Sequence, residues 1–322
     1  MFLDPNRSFF HVTTEQAGLL TVAAFVVGLV VGMLLSRWTN RVCETPPRPK
    51  EAGTIVLLTA TLFALATFVI VALEGQRVSE VTPDLAWRYG RWLTHLGLLA
   101  LLIVATATDL REYVIPDQIT LPGIVLGVLL ATVAGDSQLM HFWVDWNHPL
   151  VELQGPEIPN WLKLHPHWHG LVWSLAGAAT GAGVTWLARG ISSTVLGQEA
   201  MGLGDVTLMA LIGSVLGWQP VLFVFVLAPF CGLFVSMAVK AIWNRPYVPY
   251  GPYLSVAAVF VMLAWNAIWS WEPTSRVSIR KLFGDLPSLG ILAGVSVVLL
   301  LLLLGVVRWW HGGPRPKSQP NS

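Results

Sequence analysis

About nine apolar runs of roughly 18 to 25 residues, the length a helix needs to cross a bilayer, leave this chain few folds to choose from. They lie near 17–36, 54–73, 92–109, 119–135, 169–188, 203–218, 220–242, 252–271 and 286–308. In lipid the backbone of such a run must satisfy its own N–H and C=O groups, and a helix does that within one segment. The expected fold class is therefore all-α, a polytopic transmembrane helical bundle of about eight or nine spans. Composition agrees: 54% of the 322 residues are hydrophobic and 11% are charged, against about 25% charged in soluble chains. A net charge of +1 argues against a nucleic-acid partner and leaves membrane lipid as the surrounding medium.

Orientation follows from the basic residues in the loops. With the N-terminus outside, 11 of the 19 Lys and Arg residues fall on the inner side, including Arg37, Arg41, Arg48 and Lys50 just after the first span. That first span is too long for a signal-peptide core and carries no A-x-A cleavage site, so it is expected to be retained as an anchor. The sixteen tryptophans cluster near span ends, as an interfacial aromatic belt would place them. Cys43 and Cys231 are far apart and form no C-x-x-C pair, so neither a disulfide framework nor a zinc ribbon is expected. The largest loop, 136–168, faces outside and contains LHPHWH. On a strand His165, His167 and His169 would share one face and could hold a metal. Pro166 disturbs such a strand, and the blander expectation is an interfacial loop with its histidines at headgroup level.

Two acids stand out. Asp109 closes LLALLIVATATD and Asp205 closes M-G-L-G-D, each at the edge of an apolar segment. A carboxylate at membrane depth is expensive and marks a functional site until shown otherwise. With the N-terminus outside, both lie at the cytoplasmic ends of their helices. Two carboxyls held close cannot both ionise easily, so one keeps a proton while the other acts as base. That is the chemistry of an aspartyl protease. Pro116 disfavours helix at Ile115, so the spacing predicts a helix end after Asp109, a short turn and a new helix near Asp117. There Asp117 suits the positive helix start. Read alone, Asp109 could equally be a loop charge paired with Arg111, and Asp205 an ordinary N-cap. Gly202 and Gly204 leave the backbone bare before Asp205, where a substrate strand could approach.

In order and context the two segments resemble those of the type IV prepilin peptidases, membrane aspartyl proteases of the G-x-G-D class. TDLREYVIPDQITLPGIVLG is similar to the family's first aspartate segment and EAMGLGDVTLMALIGSVLGWQ to its second. VPYGPYLSVAAVF at 248–260 is similar to the P-F-G-P-F stretch that follows, and GLVVGMLLSRWTNRV at 28–42 faintly resembles the family's N-terminal element. The resemblance covers most of residues 17–270. It implies Asp109 and Asp205 as the catalytic pair, with Gly202, Gly204, Asp117 and Glu199 supporting the site or the substrate. It also implies prepilin-like protein substrates and a multi-pass location in the cytoplasmic (inner) membrane, with the active site facing the cytoplasm. Neither metal nor cofactor is needed for the cleavage.

On that reading the chain divides into an anchor span and short loop, 1–53, a catalytic membrane domain, 54–271, and an extra span with a polar tail expected to be disordered, 272–322. The departures bear on function. The 37–53 loop has one cysteine where many members carry paired C-x-x-C motifs for zinc, and Thr207 stands where a lysine is often found. N-methylation of the cleaved product with S-adenosylmethionine is therefore not carried over. Two competing expectations remain. One is a proton-coupled carrier with relay acids, although no acid sits at mid-span. The other is a catalytically silent assembly factor of a pilus or secretion system.

Overall fold

The computed structural model describes residues 9–78, 80–147, 151, 158–197, 201–243, 249–273 and 278–310. These form α1 (Thr14–Val42), α2 (Glu51–Thr67, prolonged by a π-helical turn Phe68–Ala72), α3 (Leu85–Glu112), α4 (Asp117–Ala134), α5 (Asn160–Leu164), α6 (Pro166–Leu196), α7 (Leu203–Leu216), α8 (Trp218–Trp243), α9 (Gly251–Trp269), α10 (Ile279–Leu282) and α11 (Leu286–Trp310). The sole pairing of extended backbone among the described residues is an isolated bridge between Val78 and Val81. Each apolar run of the sequence falls in a helix of its own. Six of these are long and apolar enough to cross a membrane, and three shorter apolar helices accompany them. The chain is a multi-pass membrane protein of the all-α class.

Local chemistry sets the helix starts. Thr13 caps α1: its Oγ1 accepts from Gln16 N at 3.3 Å, while Gln16 Oε1 accepts from Thr13 N at 2.9 Å, a reciprocal pair that satisfies two end donors. Pro116 precedes α4, which begins at Asp117 after a break following Glu112, as the proline argument expects. Two helices outrun their apolar runs. α3 starts seven residues before residue 92, because Arg91 is buried and Tyr89 and Trp92 pack on the core. α6 starts at Pro166, a residue suited to the first helical position.

That proline also overturns the strand reading of the histidines. Helical residues turn about 100° per step rather than 180°, so His167 and His169 diverge. His167 Nδ1 lies 2.9 Å from Thr132 O, whereas buried His169 accepts from Phe142 N at 3.0 Å and stacks on His141 at 5.6 Å. The 136–168 segment is likewise more than a headgroup loop, since Leu139 and Met140 are buried and Trp143 stacks on Trp218. Several tryptophans expected in the belt are core residues instead: Trp173, Trp265 and Trp269 are buried, while Trp161, Trp168 and Trp186 are exposed. Large rings fill more of the helix–helix space than a belt alone would require.

The bundle is organised around α7. Residues 208–216 of this helix are buried without exception, and it touches α3, α4, α6, α8 and α9. Its closest neighbour is α6, where Gly177 and Gly213 face each other; a Cβ on either would overlap the other's carbonyl oxygen. Small residues let helices approach this closely in lipid, where dispersion rather than the hydrophobic effect holds them together. By contrast α1 lies on the outside against α2 and α3, with Leu19, Val22, Val26 and Val30 exposed.

Candidate active site

Three chain segments meet at one end of the bundle: the α3–α4 turn, the start of α7 and the start of α9. α3 delivers Asp109 in its last turn. The helix ends at Tyr113, which takes a left-handed conformation (φ 59°) while its N–H still bonds Asp109 O at 2.9 Å. A non-glycine residue there is uncommon, and it sends the chain sharply back so that Val114 and Ile115 border the site. α7 presents Asp205 in its first turn, where its Oδ2 accepts from Gly202 N at 3.1 Å. The carboxylate thus reaches back to the residue before the helix, and the positive helix start favours its charge.

α9 adds what the sequence did not single out. Gly251 N–H donates to Asp109 Oδ2 at 3.1 Å. A Cβ at 251 would collide with that same oxygen, so only glycine gives the backbone this approach. The signal lay within VPYGPYL, but nothing local tied its glycine to a residue 142 positions earlier. Asp109 and Asp205 are both buried, at 5% and 7% exposure. They line one cavity of about 370 Å³ together with Tyr113, Ile115, Met201 and Tyr250, a volume within the range of ligand sites, about 300 to 1,000 Å³. Tyr250 is the rim residue just before α9. Burial, and then the neighbouring Asp205 carboxyl, push its phenol up from the ordinary tyrosine range.

The remaining site residues of the sequence reading divide. Gly202 and Gly204 line the cavity, though Gly204 also makes room for Ile115, whose Cβ would lie 3.0 Å from an added Cβ. Asp117 is exposed in the first turn of α4 and is not among the lining residues. Glu199 lies outside the described residues. Thr207 accepts from Thr120 Oγ1 at 3.2 Å and donates to Gly204 O at 3.1 Å, joining the two aspartate segments.

Arg111 does not neutralise Asp109. It turns away to Glu51, with Nε at 3.0 Å from Oε1, and to Asn40 Oδ1 at 2.9 Å. Beside it Arg48 donates to Leu110 O at 2.8 Å and Thr45 N to Glu112 Oε1 at 2.7 Å. The short α1–α2 loop is thereby strapped to the end of α3, and among the described residues neither Asp109 nor Asp205 forms an ion pair. Among the described residues no group of three or more His, Cys, Asp or Glu side chains is placed to hold a metal ion.

Fold and site define a class: a helical membrane protein with two buried acids from different helices in one open cavity at the bundle's end. The type IV leader peptidase family matches residues 96–153 and 157–237, a stretch that contains both aspartates. The match covers 139 of the 322 residues, and across that stretch the chain is similar to members of the family. Among curated proteins it is 28% identical over 191 residues to a "Prepilin leader peptidase/N-methyltransferase" of Pseudomonas putida, covering 58% of this chain and 55% of the relative. The relative of the same name from Aeromonas hydrophila is 28% identical over 189 residues, 57% of this chain and 54% of its own. The one from Neisseria gonorrhoeae is 26% identical over 243 residues, 74% and 66% respectively. The chain spans about half the length of the first two relatives. No solved structure matches it.

Proposed function

We propose that this protein is an intramembrane aspartic endopeptidase that removes the leader peptide of prepilin-like proteins at the cytoplasmic face of the inner membrane. The observation that carries the reading is the shared cavity: Asp109 and Asp205 arrive from separate helices, and each has one oxygen held by a glycine N–H. Fixing one oxygen of each carboxylate leaves the other free for chemistry. The deprotonated member takes a proton from a water, whose oxygen attacks the scissile carbonyl carbon. Its protonated partner donates a hydrogen bond to the carbonyl oxygen. As the tetrahedral intermediate collapses, the C–N bond breaks and a proton passes to the leaving amine. The two acids act as one titrating unit, so no fixed assignment of acid and base is implied.

The relatives' names support the substrate class, and so does the position of the cavity. A substrate that is itself an apolar helix with a basic leader would lie in the bilayer and bring its leader to this end of the bundle. The cytoplasmic orientation is supported by the excess of basic residues in the loops on the side that Asp109, Asp205 and Gly251 share if the apolar helices alternate in direction.

Methylation is not part of the proposal. The strapped α1–α2 loop holds a single cysteine, Cys43, where many members of the family it resembles carry paired C-x-x-C motifs. Co-expression with a prepilin-like protein tests both points. Intact-mass analysis should show loss of the leader and an unmethylated new N-terminus. An uncleaved product overturns the peptidase reading, and a further methyl group overturns the second point.

A further inference from the structure

We propose that a small monovalent anion, chloride in the first instance, binds to Arg91 and Trp173 in the cavity enclosed by α3, α4, α6 and α7. The site lies at the end of the bundle opposite the two aspartates, since Arg91 precedes Asp109 by about 27 Å of helix. Its existence does not depend on the peptidase reading.

Arg91 is buried to 3% exposure. Its Nε donates to Ser137 O at 2.8 Å and its Nη2 to Gln138 O at 2.6 Å, but Nη1 has no partner. Among the described residues Arg91 forms no ion pair. Asp136 is the acid whose charge it feels, at a distance beyond ion-pair contact. A buried guanidinium in direct contact with carbonyls alone, its nearest acid out of contact, is costly unless something neutralises it at closer range. Trp173, on α6, also lines the cavity; it is 2% exposed, and its Nε1 also lacks a partner. Both orphan atoms are therefore donors, and one belongs to a fixed cation.

The space suits a monoatomic ion. The cavity is about 20 Å³, against the roughly 10 to 15 Å³ that one water needs, so a phosphate or sulfate does not fit. Gly127 lines it and lets α4 approach α7 closely, since a Cβ there would meet the Ser214 hydroxyl. That hydroxyl already donates to Leu211 O at 2.8 Å. A water would satisfy the two N–H groups but leave the charge to Asp136, which lies out of contact, whereas a halide would both accept from the N–H groups and meet the charge directly. Bound there, it would tie α3, which carries Asp109, to α6 at the end of the bundle away from the two acids.

The test is thermal unfolding of the full chain in detergent at constant ionic strength, exchanging gluconate or sulfate for chloride or bromide. A saturable rise of several degrees in Tm with either halide, absent with sulfate, is expected. Trp173→Phe keeps the ring but removes a donor, and should move the halide midpoint up at least fivefold. Arg91→Gln should abolish the halide response. A Tm flat in chloride and bromide would mean that the cavity holds only water and would overturn the proposal. So would a midpoint unchanged in Trp173→Phe.

Discussion

The two ends of this bundle both bury ionisable side chains, and they do so for different purposes. At one end Asp109 and Asp205 border about 370 Å³ of open space, and each is held by a single glycine N–H. At the other, polar groups are packed until almost no space is left. Glu80 and Arg280 pair at 3.2 Å, and Gln76 donates to Met262 O at 3.0 Å beside His95. His141, Gln219 and Trp269 surround a cavity of about 10 Å³. A polar group with room beside it is available for reaction. A polar group without room has no space for a reactant, and where it is paired, as Glu80 is with Arg280, it holds the segments that carry it in place.

The contrast breaks if chemistry and stability cannot be separated by end. The largest effect belongs to Asp109→Asn and Asp205→Asn. Each should lower leader cleavage by about 10³-fold or more, since a pair lacking one acid loses its base or its proton donor. Tm in detergent should stay within a few degrees of the parent. Near-normal processing by either variant would remove the pair from the mechanism.

Gly251→Ala comes next. The added methyl must displace the Asp109 carboxylate or the start of α9, and a misplaced catalytic group costs about tenfold or more in rate. Cleavage should fall by that factor while the protein still inserts and unfolds cooperatively. At the opposite end Arg280→Gln should do the reverse. It leaves Glu80, whose side chain is 3% exposed, short of its cation and should cost about 1 to 3 kcal/mol of stability, with the cleavage rate of the folded fraction unchanged. The smallest effect is expected for Asp117→Asn: less than twofold on cleavage, because this residue lies off the cavity and a neutral side chain still suits a helix start. A large loss of activity there would show that the site extends along α4.

Local physics made part of the site readable in advance. Pro116 ends one helix and starts the next through sterics that involve only its neighbours. Gly202 and Asp205 meet within one helical turn. The alternation of helices put both aspartates on one side once the loops' basic residues oriented the chain. Arg111 shows where this stops: two residues from Asp109 it looked like that residue's partner, yet it joins Glu51, 60 positions away. The histidines at 165–169 show it again, since their alternation had meaning only on a strand that Pro166 turned into a helix start.

What the sequence alone determined was the set of apolar helices, because bilayer thickness sets a minimum length that can be counted residue by residue. It also marked the two acids, because a charge beside such a run is conspicuous against lipid. Tertiary structure decided which helix is central, which two acids share a cavity and which backbone N–H reaches Asp109. α1 and α7 are both apolar runs, yet one faces lipid and the other is buried on every side. Hydrophobicity cannot tell lipid from protein interior, since each is apolar. That choice is made by shape, where Gly177 meets Gly213 and Gly251 meets Asp109.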